Sequence, residues 1–254
     1  MIHSDLNTER SSLYVVSGCD SSEQATVTLR DEAGSVNSLA VFLPGDEADE
    51  EYSSSPRRQK RSYLCWRYCL DFLFCLIGGV SLCLLFPVIA SLIYLDSPGP
   101  ILYSQERVGY QGRQFRIWKF RSMCQDAEKR GIMCATEGDC RITRIGRWLR
   151  ATHLDEVPQV INILRGEMSL IGPRPERPLF NEQFQESIPK YRLRLCVKPG
   201  LTGLAQVKYH YASTQNDAVI KLWFDLYYVK YRSIILDIFI IYKTIMEMLL
   251  MHGR

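Results

Sequence analysis

From Phe72 to Leu95 the chain reads FLFCLIGGVSLCLLFPVIASLIYL, 24 residues without a charge. No other stretch restricts the fold as strongly. A straight helix of that length would reach roughly 36 Å, enough to cross a bilayer. Two features oppose a simple crossing. Pro87 lies deep in the run, where a missing N–H and a bulky ring kink or break a helix. Basic residues also flank both ends: Arg57, Arg58, Lys60, Arg61 and Arg67 before it, and Arg107, Arg113, Arg116 and Lys119 after it. Positive flanks favour the cytosolic side, so both ends are expected there. The expectation is a re-entrant helix-break-helix with its break at Pro87; a spanning helix kinked at the proline is the alternative.

Charge divides the chain at the same place. The net charge of +3 combines 2 basic and 11 acidic residues up to Pro56 with 29 basic and 17 acidic residues from Arg57 onward. The first 60 residues are acidic and Ser-rich, end in GDEADEEYSSSP before RRQKR, and read as a mostly disordered leader without the pattern of a secretory signal. The basic body calls for an anionic partner such as phosphate, nucleic acid or a lipid surface. Nine cysteines include no CxxC pair, and His3, His153, His210 and His252 are scattered, so a zinc site has little support and reduced thiols are expected.

Beyond DSPGP the pattern changes. ILYSQERV and RQFRIWKF flank GYQG and read as a β-hairpin. Alternation puts Phe115, Ile117, Lys119 and Arg121 on one face, so two cations continue an apolar face: either they snorkel at a membrane surface or they line an anion pocket. Helices are expected from Arg141 to Leu164 with a break near Thr152. MSLIGPRPERP is a stiff loop that fixes Arg174 and Arg177, and VKPGLTGLAQV a second loop leading into a short strand. DAVIKLWFDLYYVKYRS reads as an amphipathic helix. In the last segment Asp237, Lys243, Thr244 and Glu247 share one arc of an otherwise apolar helix, which suits a membrane interface or a buried seam. The fold class is therefore α+β and helix-rich, with a leader (1–60), a re-entrant membrane helix (61–96) and a cytosolic, membrane-associated catalytic domain (97–254) bearing interfacial amphipathic helices.

The motif RATHLDEVPQVINILRG, residues 150–166, has two readings. Thr152, Asp155 and Glu156 are residue types that cap a helix, and Pro158 suits a first turn. The chemical reading starts from the same geometry. A helix N-terminus and nearby arginines keep Asp155 ionised and bind phosphate. An ionised carboxylate held against a phosphoryl group is a nucleophile that gives an acyl phosphate. Glu156 could then bind a Mg²⁺ that neutralises pyrophosphate oxygens, while Arg150, Lys119, Arg121 and Arg174 hold developing negative charge.

The ordered segments SPGPILYSQERVGYQGRQFRIWKFRSM, LRATHLDEVPQVINILRGEMSLIGPRPERP, KPGLTGLAQV and KLWFDLYYVKYRS resemble the bacterial sugar transferases, the monotopic phosphoglycosyl transferases that begin exopolysaccharide, capsule and O-antigen assembly. The resemblance runs from about Tyr63 to the C-terminus. It implies transfer of a sugar 1-phosphate from a UDP-sugar to undecaprenyl phosphate with release of UMP, at the inner membrane with the catalytic domain facing the cytosol. It implies Asp155 as nucleophile, Glu156 as Mg²⁺ ligand, and Arg150, Lys119 and Arg174 as matching cations. Glu176 and Arg177 of the same loop, with Arg121 and Asp225 of FDLYY, complete the expected substrate-binding set. The family's membrane helix breaks at a proline, which maps to Pro87. The style of the C-terminal half leans toward UDP-galactose or UDP-glucose, and the chain reads as the compact form. His153, close to the nucleophile, reads as a supporting or exposed residue, with a proton relay as the alternative.

Two other classes compete. A non-catalytic, basic membrane-bound adaptor of a polysaccharide machinery would leave Asp155 a helix cap. An aspartyl-phosphate hydrolase would lack the usual DxDx(T/V) pattern here. No nucleic-acid recognition motif is visible, and nucleic-acid binding leaves the apolar segments unexplained. A homodimer is compatible with the C-terminal helix.

Overall fold

The computed structural model describes residues 25–30, 36–41, 60–125, 127, 139–188, 190–209 and 215–249. The chain forms two units, Met1–Arg58 and Gln59–Arg254. In the first, β1 (Ala25–Arg30) and β2 (Val36–Val41) pair antiparallel, from Ala25 opposite Val41 to Arg30 opposite Val36. The rest of the leader, with His3, His210 and His252, lies outside the described residues.

The second unit is helix-rich. The apolar run sits in α1 (Arg61–Asp96), 36 residues long and the one described helix long and apolar enough to cross a membrane. The expected division at Pro87 is corrected: the helix continues through it. Packing on both sides of the proline explains the continuity. Phe86 lies 5.8 Å from Phe120, ring to ring, and Ile89 and Ile93 join Phe120 and Leu149 in one apolar cluster. Helix α1 also touches the remainder of its unit at both ends. Near the start, Asp71 accepts hydrogen bonds from Ser169 Oγ and Leu170 N, both at 2.8 Å. At the end, Asp96 accepts from Ile145 N at 3.0 Å. Between them Phe74, Gly78 and Leu82 continue a stripe at three- and four-residue spacing, and a Cβ on Gly78 would lie 2.6 Å from Val160.

Strands β3 (Leu102–Val108) and β4 (Gln114–Phe120) form the expected hairpin, with Leu102 opposite Phe120 and Tyr103 opposite Lys119. Helix α2 (Arg144–Ala151) is capped by Thr143 Oγ1, which accepts from Gly146 N at 2.9 Å. His153 then takes a left-handed backbone (φ 56°), which ends the helical path and starts a 3-10 turn, Leu154–Gln159. Helix α3 (Val160–Leu164) follows directly. The break near Thr152 thus falls where the sequence puts it.

Strand β5 (Ser169–Ile171) leads into the proline-rich loop, and α4 (Pro178–Ser187) closes it. A 3-10 turn, Tyr191–Cys196, precedes β6 (Gly200–Thr202), which pairs parallel with β5. The strand therefore comes earlier than the sequence suggests, and LAQV belongs to the short helix α5 (Leu204–Lys208). The pairing needs glycine: a Cβ on Gly200 would lie 2.1 Å from Gly172 N. Two long helices, α6 (Gln215–Tyr231) and α7 (Ile234–Leu249), complete the unit.

Helix α7 is amphipathic in the reverse of the soluble sense. Asp237 is fully buried, and Thr244 meets Thr202 Oγ1 at 2.7 Å. Ile235, Ile238, Tyr242, Ile245 and Leu249 are exposed. The outer side of α1 matches it, with Phe72, Leu84 and Leu95 at least 70% exposed. Surfaces of this extent call for a cover other than water.

Candidate active site

The cap reading of residues 152–156 fails on geometry. Thr152 Oγ1 donates backward to Trp148 O and Leu149 O, closing α2 rather than opening the next element. No side chain caps the 3-10 turn or α3. Asp155 is instead drawn inward, 7% exposed.

The left-handed residue at 153 turns the chain so that the carboxylate pair meets the end of β4. Asn162, fully buried on α3, fastens this meeting: its amide donates to Arg116 O and to Glu167, both at 2.7 Å, and its carbonyl accepts from Trp118 N at 3.1 Å. At the next residue of β4, Lys119 donates to Glu156 at 2.5 Å. From the proline-rich loop Arg174 donates to the same carboxylate oxygen at 2.5 Å. Glu156 is thereby clamped between two cations from two different elements. Lys119 and Glu156 are 19% and 14% exposed, whereas the Arg174 side chain is 37% exposed and keeps a face toward solvent.

The two neighbouring carboxyls are driven in opposite directions. Burial opposes ionisation of Glu156, but the Arg174 and Lys119 charges and hydrogen bonds outweigh it and hold the carboxyl well below the usual range. Burial pushes Asp155 up; Lys119, Arg150 and Arg174 pull it down, and the Glu156 charge adds to the rise. The expected helix N-terminus beside Asp155 is therefore corrected. The element is a 3-10 turn, and desolvation exceeds the pull of the cations. Divergent environments for adjacent carboxyls are a mark of divided chemical roles.

The remaining expected site residues fall into three places. Arg150, in the last turn of α2, acts on Asp155 through its charge. Arg177 and Glu176 stay in the Arg174 loop; Arg177 precedes α4, and Glu176 O accepts from Val108 N at 2.9 Å. Arg121 and Asp225 are not brought to the carboxylate pair. Arg121 follows the end of β4, where the alternation stops, and its guanidinium binds the Ser97 and Pro98 carbonyls after α1. Asp225 is 2% exposed on α6 and pairs with Arg194, 2.7 Å away. Sequence reasoning passed over Asn162, Arg107 and Arg194. Asn162 alone carried a local signal, an amide within the apolar VINIL.

Among the described residues no three His, Cys, Asp or Glu side chains converge. Beside Lys119 and Arg174, the carboxylates that could contribute to a divalent-cation site are Asp155 and Glu156. That matches Mg²⁺, which takes one or two carboxylates and completes its shell with water and substrate phosphate.

The sequence profile of the bacterial sugar transferases matches residues 62–251. A UDP-N-acetylgalactosamine-undecaprenyl-phosphate N-acetylgalactosaminephosphotransferase of Aeromonas hydrophila is 49% identical over 164 residues, covering 65% of this chain and 39% of that protein. A putative undecaprenyl-phosphate N-acetylgalactosaminyl 1-phosphate transferase of Bacillus subtilis is 49% identical over 133 residues, 52% of this chain and 74% of that protein. A UDP-glucose:undecaprenyl-phosphate glucose-1-phosphate transferase of Escherichia coli is 41% identical over 176 residues, 67% of this chain and 38% of that protein. The chain spans about two fifths of the length of the Aeromonas and Escherichia relatives.

Proposed function

The chain belongs to the bacterial sugar transferase family, and we propose that it transfers a sugar 1-phosphate from a UDP-sugar to undecaprenyl phosphate, through a covalent phosphosugar on Asp155. The observation that carries this reading is the inward, uncapped Asp155 beside a Glu156 clamped by Lys119 and Arg174.

In the first displacement an Asp155 carboxylate oxygen bonds to the sugar-bearing phosphorus of the donor. The bond from that phosphorus to the bridging oxygen breaks, and UMP leaves with the electron pair. In the second, an oxygen of undecaprenyl phosphate attacks the same phosphorus, the acyl-phosphate bond breaks, and the Asp155 carboxylate is restored. One phosphoanhydride replaces another, so no ATP is required. Each displacement gathers charge on phosphoryl oxygens, which Lys119, Arg150 and Arg174 are placed to stabilise. Donor phosphates compete with Glu156 for Lys119 and Arg174, and a Glu156 released from them would be the residue to hold Mg²⁺. When bound, the metal supplies charge neutralisation for the pyrophosphate.

The membrane reading rests on α1 and α7. The outward apolar faces of both helices lie in lipid, with both ends of α1 on the cytosolic side, as its contacts at Asp71 and Asp96 with one and the same unit support. With its outer face embedded in one leaflet and its helical path unbroken at Pro87, α1 keeps the catalytic pair at headgroup level, where the acceptor presents its phosphate. Relatives named for N-acetylgalactosamine and for glucose widen the donor class beyond the galactose or glucose expected from the sequence.

The test is UMP release by nanodisc-held protein from UDP-galactose, UDP-glucose and UDP-N-acetylgalactosamine, with and without undecaprenyl phosphate and with EDTA. Turnover that needs lipid and metal and is lost in Asp155→Asn is the expected result. Folded protein that is silent toward every donor would return the weight to the adaptor reading.

A further inference from the structure

Arg174 sits in a loop that has little means of holding itself. Pro173, Pro175 and Pro178 have no N–H, so the segment cannot build a ladder of its own. Its carbonyls are instead held from outside, four in succession. Pro173 O accepts from Gly200 N at 3.0 Å, and Glu176 O from Val108 N at 2.9 Å. The two central carbonyls are taken by arginine side chains: Arg174 O by Arg194 Nη2 at 2.8 Å, and Pro175 O by Arg107 Nη1 at 3.0 Å.

Arg194 is 6% exposed, and its guanidinium is divided among three partners. Its Nε donates to Asp225 at 3.0 Å, Nη1 to the Tyr191 hydroxyl at 2.8 Å, and Nη2 both pairs with Asp225 and reaches the Arg174 carbonyl. A planar fork with fixed donors can join these points where a flexible ammonium cannot. The guanidinium thus connects the middle of α6 to the main chain of the residue whose side chain holds Glu156.

We propose that Arg194, held by Asp225, is a positioning residue for Arg174, with Arg107 as a parallel brace on the next carbonyl. Asp225 contributes without touching the reacting groups: it fixes the guanidinium that fixes the loop. The kinetic arm of the test below rests on the transferase reading; the exchange arm does not.

The experiment compares wild type, Arg194→Lys, Asp225→Asn, Arg174→Ala and the double variant Arg194→Lys/Arg174→Ala in nanodiscs. Misplacing a group that binds a substrate phosphate lowers kcat/KM for the UDP-sugar by between about 10- and 100-fold in Arg194→Lys and Asp225→Asn. In the Arg174→Ala background, Arg194→Lys adds less than about twofold, because both changes remove one function. Multiplicative losses would overturn the proposal, since they assign Arg194 a role independent of Arg174. Hydrogen exchange at the amides of Val108 and Gly200, which donate to the loop carbonyls of Glu176 and Pro173, supplies the second readout for the loop. Arg194→Lys speeds it while amides in the middle of α6 keep their protection. Unchanged exchange at these two amides, or faster exchange across both regions, overturns the proposal even in a protein that turns over no donor. Absence of wild-type turnover would count against the transferase reading alone.

Discussion

The outer helices and the carboxylate site handle polarity in opposite ways. Helices α1 and α7 turn apolar residues outward and hold Arg67, Asp71, Asp237 and Thr244 against the protein. Arg67 donates to Tyr228 and Ser169, Asp71 takes Ser169 and Leu170, and Asp237 is fully buried beside Tyr228 and Arg67. The site segment buries charge next to charge and leaves the Arg174 side chain partly open. In the helices, buried polar groups serve to dock an element whose other face is not meant for water. In the site, on the proposed function, they hold cations ready for a phosphate. A buried ion pair therefore reports function only when one of its members keeps a route to a ligand, as Arg174 does and Arg67 does not.

The contrast can be broken most forcefully at Asp155. Replacement by Asn should lower kcat by about 10³-fold or more while leaving thermal unfolding in nanodiscs near that of wild type, because a nucleophile is removed without a void. Arg67→Ala is the reverse case. It strands Asp237 without its cation, and a stability loss of about 3–5 kcal/mol is expected in denaturant titration of the membrane-held protein. A loss under about 1 kcal/mol would remove the docking role assigned to that network.

The pH profile sharpens the site half of the comparison. Under the proposed mechanism the reactive form of Asp155 is the ionised one, so activity should fall as pH drops through its folded pKa. Burial raises that pKa, and the acid limb of kcat/KM should lie above the range of an exposed aspartate. Lys119 opposes the rise, so Lys119→Met should move the limb to still higher pH. A limb that does not move would place Lys119 outside the field of Asp155. The smallest effect is expected at the outer faces. Leu84→Asn and Ile238→Asn should change stability by less than about 0.5 kcal/mol, yet lower retention on vesicles in flotation assays. Unaltered flotation of the combined variant would show that these faces do not meet lipid.

What the sequence disclosed follows from distance along the chain. The hairpin was legible because alternation and GYQG are local, and the pairing of Lys119, Glu156 and Arg174 was approachable because each stands in a distinctive local motif. The path of α1 was not legible at Pro87. A proline reports a lost donor, but not the Phe86–Phe120 contact and the Ile89–Ile93 packing that carry the helix onward. Arg121 was misplaced because alternation was extended one residue past the end of β4. The polar arc of α7 was seen correctly, but whether it faces inward or outward depends on Tyr228 and Thr202, which belong to other elements. Arg194 and Asp225 meet across 31 residues, so neither signalled the other.

The central claim is the covalent phosphosugar on Asp155, and the most direct measurement is mass spectrometry of the protein after exposure to the UDP-sugar without undecaprenyl phosphate. The account predicts up to one UMP released per protein and a hexose-phosphate or N-acetylhexosamine-phosphate adduct on the peptide containing Asp155, lost in Asp155→Asn and discharged by added lipid phosphate. Lipid-dependent turnover in the same preparation, with no adduct and no UMP released before lipid is added, would contradict it and point to direct transfer between the two substrates.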